Sequence, residues 1–376
     1  MRNSNPAVVR VTCIVGMLLC LWMGLNAGGG GDFNEFYSAS QLAGTGHLYD
    51  WARSRELESR NGSIAIPFGR IPVYGVLLKP LTTLPYLYAR TVWLVLNVAA
   101  LIGFALLWPG KRRRDAIMLL CWSCPAAVLL ESGQDTGLFL FLVTAGVRLL
   151  QSKRDFLAGL VFSLCAAKFH LALGIPIFLL ARRRWGALAG GLAGGLVQLA
   201  ISFAAEGRDW PSHLMQLSKI SDFSPAPMRM PNLLGLTHWI PFGFYVEAAL
   251  ALLALAAVWL VARRSPLTVG ATAAVTAGLL VSHHAYVYDA VLLLPGVALA
   301  LRLRAPKFLR QWALLVAIPF PYLFLIVGRW GWVAAQPIIN GFSLSLLGLL
   351  AFHALKRFAR IQPMVSPAVA WENRTA

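Results

Sequence analysis

Long apolar runs separated by short knots of lysine and arginine recur along this chain, and they leave few folds open to it. The knots are Lys111-Arg112-Arg113-Arg114, Lys153-Arg154, Arg182-Arg183-Arg184, Arg263-Arg264, the spaced set Arg302, Arg304, Lys307 and Arg310, and Lys356-Arg357 with Arg360. Of 376 residues, 58% are apolar and only 13% are charged, about half the charge of a soluble domain. At about 20 apolar residues per crossing this suffices for roughly ten spans. A single soluble domain and an extended disordered chain are both excluded. The chain reads as a polytopic membrane protein.

The formal net charge of +18 invites a nucleic-acid partner, but its distribution argues otherwise. Basic knots between apolar runs mark cytoplasmic loops, where they also meet anionic headgroups. Of the 15 acidic residues only Asp115, Asp155 and Glu372 lie near a knot. The basicity reports topology, so the expected surroundings are membrane lipids and no nucleic acid. Cys13, Cys20, Cys121, Cys124 and Cys165 all lie in apolar runs. Cys121-Trp-Ser-Cys124 has redox spacing, yet it sits inside an expected span beside Pro125 and reads as buried small hydrophobes. There is no four-ligand zinc pattern.

Placing the knots in the cytoplasm orders the rest. Residues 8–26 form a first span ending at Gly28 to Gly31. Leu25-Asn26-Ala27 imitates a signal-peptidase site, but a retained span is preferred because many spans follow. Residues 27–90 are a first external loop with interfacial or re-entrant helices, including the proline-rich stretch 71–89. Spans follow at 91–108, 115–131 and 137–150, with Gly133-Gln134-Asp135-Thr136 turning outside. Residues 156–180 have knots at both ends and are too short for two full crossings. Half-helices breaking at Lys168-Phe169-His170 satisfy this, a backbone tolerated only where it lines a cavity. Spans at 186–204 and 243–261 flank a second large external loop at 205–242, and 267–282, 285–301, 308–327 and 336–355 complete the set. The expected fold is all-α: one integral-membrane domain over 1–376, about ten to twelve membrane segments, in the cell membrane, with both termini cytoplasmic. Gly186, Gly190 and Gly194 suit tight helix packing.

Ionisable groups at membrane depth are costly and mark function by default. Here they gather at the external ends of spans: Asp32 and Glu35, Arg70, Lys79, Glu131 with Gln134 and Asp135, Lys168 with His170, and His283-His284 with Tyr286, Tyr288 and Asp289. A site opening outward near the headgroups is expected. Asp32 follows four glycines and heads a helix whose apolar face is Phe33, Phe36, Tyr37 and Leu42. Two readings stand for it: a helix cap or a reactive base. Lys168 and His170 offer cationic donors to an anion such as phosphate, or Lys168 only snorkels. Adjacent histidines point differently, so at most one of His283 and His284 faces a cavity, to donate to phosphate or share protons. Metal ligation by a histidine with Asp32 and Glu35 is the lesser alternative, and no metal or other cofactor is expected. Gln134 and Asp135 could bind sugar hydroxyls or cap the next helix. The 205–242 loop, with Trp210, His213 and Trp239, reads as a lid over lipid or as a plain amphipathic connector.

Taken in order, these residues resemble a known family. Gly31-Asp32-Phe33, Phe36-Tyr37, Ala39 and Leu48-Tyr49-Asp50, then Pro72-Val-Tyr74, Gly133-Gln134-Asp135-Thr-Gly-Leu138, Ala167-Lys168-Phe-His170 and Ser282-His283-His284 resemble motifs of glycosyltransferase family 87, of the GT-C class. The resemblance covers most of the chain. It implies a multi-span fold with a catalytic aspartate in the first outer loop, a donor of the polyprenyl-phosphate-mannose type, and inversion at the sugar carbon without a nucleotide sugar. Carried onto this chain, the base falls on Asp32 and a phosphate-contacting histidine on His283 or His284. The chain departs where Lys-Pro is expected and Lys168-Phe-His170 stands instead. Glu35, Tyr37, Arg70, Gln134, Lys168, His170, His283 and His284 are the candidate substrate-binding residues.

The chemistry agrees. Displacement at an anomeric carbon needs a base for the acceptor hydroxyl and donors for the departing lipid phosphate. No glycine loop with a lysine cradles a soluble nucleotide. The expected partners are a polyprenyl-phosphate-sugar donor and an outward-facing lipid or glycan acceptor. The rivals are a transporter or flippase, which would place polar groups at the midplane and often repeat its halves, and a polymerase or ligase of lipid-linked glycans. The one-sided polar cluster and the lack of a repeat favour the transferase.

Overall fold

The computed structural model describes residues 31–62, 65–109, 119–220, 226–302, 305–317 and 331–361, with isolated positions at 11, 14–16, 18, 22 and 117. The expected opening span at 8–26, the knot at Lys111 and residues 318–327 of a later span lie largely outside them. Every regular element among the described residues is helical. The first outer region holds α1 (Phe33–Leu42), α2 (Trp51–Arg60) and α3 (Pro72–Leu78). The bundle then follows with α4 (Tyr86–Leu107), α5 (Cys124–Ser132), α6 (Thr136–Gln151), α7 (Asp155–Ser163), α8 (Phe169–Ala172), α9 (Gly174–Ala181) and α10 (Trp185–Glu206). The second outer region contributes α11 (Trp210–Leu217) and α12 (Leu233–Thr237), and α13 (Gly243–Arg264), α14 (Leu267–Val281), α15 (Leu294–Arg302), α16 (Lys307–Ala317) and α17 (Gly331–Ile361) close the chain.

Among the described residues, five helical stretches are long and apolar enough to cross a membrane: Tyr86–Leu107, Asp155–Ala172, Trp185–Glu206, Gly243–Arg264 and Gln336–Lys356. Shorter apolar helices add Thr136–Gln151, Leu267–Val281 and Val287–Leu301. Their surfaces are apolar outside and polar inside: Leu192, Leu196, Leu252 and Leu253 are exposed, whereas Gln198, Ser202, Thr272 and Thr276 are buried. That inversion suits a lipid solvent, which gives polar side chains no partners.

Two expected spans are shorter than read from sequence. The 115–131 run is interrupted at Trp122 and Ser123: residues 119–121 are helical, and a second helix starts at Cys124. Pro125 occupies its first turn and Ser123 caps it, its Oγ accepting the Ala126 N–H at 3.3 Å. The 285–301 run starts as a 3₁₀ segment, Val287–Leu293, and becomes α-helical at Leu294.

The basic loops around Lys153-Arg154, Arg182-Arg183-Arg184 and Arg263-Arg264 meet at one end of the bundle. Arg184 pairs with Asp155 at 3.2 Å, Arg182 donates to the Ser265 carbonyl, and Arg148 donates to the Leu107 carbonyl at 2.5 Å. Both ends of the 156–180 segment therefore lie at the same level, as their charges require. Its outward limb is the 9-residue α7 plus a 5-residue 3₁₀ turn, Leu164–Lys168. At standard rises this is about 24 Å, less than the ~30 Å hydrocarbon core. Lys168 sits at the tip of this hairpin, where it meets Asp135 and Asp289. α10 runs beside α7 at contact distance: a Cβ on Gly190 would strike the Phe156 carbonyl, and one on Gly194 the Ser163 side chain.

A separate aromatic cluster fastens the first outer region. Phe33, Phe36, Tyr37, Tyr49, Phe68, Trp93 and Trp210 pack together and are buried. Phe33 lies 5.7 Å and Phe36 5.8 Å from Trp93 between ring centroids. Burying such a ring stabilises by about 2–3 kcal/mol. α1 is consequently enclosed nearly all round, with Asn34, Glu35, Ser38 and Ser40 also buried. It does not float as an interfacial helix with one apolar face.

Candidate active site

Opposite the basic knots, two glycines let the first outer loop touch the turn between α5 and α6. Gly31 has φ +53°, and a Cβ there would overlap the Ser132 carbonyl; Gly133 has φ +72°, and a Cβ there would lie 2.8 Å from that of Phe33. Only glycine accepts both the backbone and the contact. The approach lets the Asp32 N–H donate to the Ser132 carbonyl at 2.6 Å, while Trp93 Nε1 donates to the Gly133 carbonyl at 2.7 Å.

Asp32 stands at the N-cap position of α1, but its carboxylate makes no cap hydrogen bond. Instead Oδ2 accepts from Gln134 Nε2 at 2.6 Å, and the Tyr288 hydroxyl adds a second bond. Burial raises its pKa, only partly offset by those donors and the more distant Lys168 and Arg70. Glu35 lies one turn on, with Oε1 accepting from the Gly69 N–H at 3.4 Å, and burial pushes it well above the usual range.

Beside Asp32 lies an ion cluster. Arg70, 8% exposed, approaches Asp135 at 3.3 Å and donates to Gln134 Oε1 at 3.5 Å. Its guanidinium lies 5.5 Å from the Phe36 ring centroid and 6.0 Å from that of Tyr74. Among the described residues no acceptor reaches its buried Nε. Lys168 Nζ donates to Thr136 Oγ1 at 2.6 Å and to Asp289 Oδ1 at 2.8 Å, and sits 3.1 Å from Asp135 Oδ1. Its three donors are thereby committed, and it lies 5.2 Å from the Tyr288 ring centroid. Although burial alone would raise it, the Arg70 and Lys168 cations hold Asp135 well below the usual carboxylate range. Two cations thus face four carboxylates. Asp135 and Asp289 touch the cations, whereas neutral donors hold Asp32 and Glu35, both of which are more basic than Asp135.

His284 is half-buried, its ring 5.8 Å from His170 and 5.4 Å from Tyr286, which stacks on Tyr288 at 5.1 Å. An aromatic row therefore leads from Asp32 through Tyr288 and Tyr286 to both imidazoles. Burial pushes the pKa of His284 down to about 4, so the ring is neutral at pH 7. His283 is exposed and turns away. Tyr37 also stands apart, in the aromatic cluster with its hydroxyl donating to the Leu84 carbonyl at 2.8 Å.

The structure thus brings together Asp32, Glu35, Arg70, Gln134 and Lys168, with His170 and His284 along the row, and leaves out Tyr37 and His283. Asp135, Tyr288 and Asp289, which the sequence places in the outer polar clusters but not among the candidate substrate-binding residues, complete the cluster together with Thr136. The available signal was position: all four flank residues chosen at the same span ends. Among the described residues no three His, Cys, Asp or Glu side chains converge as a metal-holding group.

Comparison with known proteins identifies a relative and a family. The polyprenol-phosphate-mannose-dependent alpha-(1-2)-phosphatidylinositol pentamannoside mannosyltransferase of Mycolicibacterium smegmatis is 27% identical over 180 residues, covering 46% of this chain and 40% of that protein. The chain therefore spans well under half the length of this curated relative. No solved structure matches. The model of glycosyltransferase family 87 matches residues 72–295, a stretch that holds Gln134, Asp135, Lys168, His170, His284 and Asp289 and begins after Asp32 and Arg70. That match covers more than half of the chain, which belongs to glycosyltransferase family 87.

Proposed function

We propose that this membrane glycosyltransferase moves a sugar, mannose by analogy with its relative, from a polyprenyl-phosphate donor to an outward-facing lipid or glycan acceptor. Asp32 is the base. It takes the proton of the acceptor hydroxyl as that oxygen bonds to the anomeric carbon. The bond from that carbon to the lipid phosphate breaks with its electron pair on the phosphate, and the configuration inverts. The observation that carries this reading is the contrast among buried carboxylates: Asp135 is neutralised by cations, whereas Asp32 is held only by an amide and a phenol. A base must keep its affinity for a proton, and burial without a contacting cation provides that.

The departing phosphate needs donors. Arg70 Nε and the neutral His284 imidazole can supply them, with His170 behind. Lys168 acts through its field and by holding Asp135 and Asp289 in place, since its hydrogen bonds are already taken. In this reading the site opens on the outer side of the cell membrane, with the basic knots and both termini in the cytoplasm.

Asp32→Asn tests it. The new amide oxygen still accepts from Gln134 and Tyr288, so the shape is kept while the base is lost. Transfer from a polyprenyl-phosphate-sugar donor should fall by about a hundredfold to ten-thousandfold. Thermal stability should hold or rise, because a buried charge disappears. Full transfer by this variant would remove the mechanism.

A further inference from the structure

A cavity of about 360 Å³ lies apart from Asp32, between the chain that links α1 to α2 and the helix α11. It has the size of a small-molecule site. Trp51 and Tyr49 give it aromatic surface; Glu206, His213 and Gln216 give it hydrogen-bonding groups at different heights. Glu206 also anchors the loop, accepting the Gly44 N–H at 2.6 Å. Asp50 faces the same space and is paired at 3.3 Å with Arg53 outside it. None of the residues along the cavity is Lys or Arg. Two carboxylates on a lining that has histidines (His47, beside Asp50 at 3.9 Å, and His213) but no lysine or arginine disfavour a phosphate, so this is a poor second place for the lipid donor. Flat aromatic surface with carboxylate, amide and imidazole groups suits a neutral ring bearing many hydroxyls.

Its position suggests why such a ring would bind there. The cavity adjoins the C-terminal end of α1 and Asp32 the N-terminal end, about 15 Å apart for a 10-residue helix. The wall between them is Tyr49, whose hydroxyl donates to the Arg70 carbonyl at 2.7 Å, and Arg70 reaches Gln134, the partner of Asp32. We propose that this cavity is a remote subsite for a non-reacting sugar of an oligosaccharide acceptor, so that the enzyme favours long acceptors over short ones. Binding far from the reacting carbon then contributes to orientation at it. The inference rests on the transfer reading for its reaction, but not for its ligand.

The test follows mannosyl acceptors from mono- to pentasaccharide, with polyprenyl-phosphate-mannose as donor, in full-length protein bearing Trp51→Ala, Trp51→Phe or Gln216→Ala. Saturation-transfer NMR with free pentasaccharide reports binding without catalysis. The expected result for Trp51→Ala is a KM for the pentasaccharide about tenfold higher with kcat held, loss of the preference for length, loss of the NMR contact, and recovery in Trp51→Phe. Unchanged KM, an equal loss on every acceptor length, or an NMR contact that survives Trp51→Ala would overturn the subsite. If the wild type transfers nothing while the glycan contact depends on Trp51, the subsite stands and the donor reading fails.

Discussion

Removing the buried cation at the hairpin tip tests the charge bookkeeping of the site most directly. Lys168 is 3% exposed and contacts Asp135 at 3.1 Å and Asp289 at 2.8 Å, while the other cation, Arg70, reaches only Asp135. Lys168→Met keeps the length of the side chain and leaves Asp289 with the Thr136 hydroxyl at 2.5 Å and the Tyr286 N–H at 2.9 Å, but no counter-charge. Deleting one partner of a buried pair costs about 3–5 kcal/mol. For a chain of this size that is a loss of about 5 °C or more in melting temperature. Adding Asp289→Asn removes the stranded charge, and the amide oxygen still accepts from Thr136. The double variant should return to within about 1 kcal/mol of wild type, a coupling well above the ~0.5 kcal/mol expected of independent sites. The assay is thermal unfolding of the purified protein in one detergent for wild type, both single variants and the double. A Lys168→Met protein that melts with the wild type, or a double variant whose losses simply add, would refute the idea that these charges are balanced against each other.

Three further outcomes follow from the same geometry. Glu58 is fully buried and held by Ser54 Oγ and the Ile66 N–H, each at 2.9 Å, and burial raises its pKa to about 7. The native state then holds a proton that the unfolded chain has released, so this group's contribution is whole below about pH 4.5 and lost as pH rises through 7. The shift from 4.5 to about 7 sets the gap at about 3 kcal/mol, and Glu58→Gln should gain that much over wild type between pH 5 and pH 8 in paired melting curves. His284→Ala should slow transfer severalfold while His283→Ala changes it little; equal effects in kinetic assays would contradict the placement of only His284 of this adjacent pair in the row. Gly133→Ala forces a left-handed residue with a Cβ 2.8 Å from Phe33, costing about 1–2 kcal/mol in backbone strain alone. Because the contact seats Asp32, kcat should fall further than the melting temperature suggests, as steady-state kinetics beside thermal unfolding will reveal.

Much of the bundle was legible in the residues. Apolar length and basic knots report where a chain crosses a membrane, because each term is local: every residue carries its own transfer free energy, whatever it later touches. The hairpin at 156–180 followed from the same logic, since two knots on one side demand a return. Less legible were local breaks such as Pro125, whose effect depends on whether Ser123 caps the helix it restarts. The enclosure of α1 was hidden as well. Its apolar stripe is that of a surface helix; packing against Trp93, Phe68 and Trp210 buries that stripe, while α2 and the Gly69 backbone bond Asn34 and Glu35 on the polar side.

Sequence alone placed Asp32, Gln134, Lys168 and the histidine pair on the same side of the membrane, because span ends alternate and the count of crossings decides the side. It left open whether Asp32 caps a helix or serves as a base, and which imidazole turns inward. The tertiary structure shows an Asp32 side chain that makes no cap hydrogen bond and a His284 ring in the aromatic row, and it brings Gln134 from 102 residues away onto the Asp32 carboxylate and Asp289 from 121 residues away onto Lys168. Proton affinity in a buried site depends on which charges lie within a few ångströms. Chain order carries no such distances; they exist only once the helices have packed.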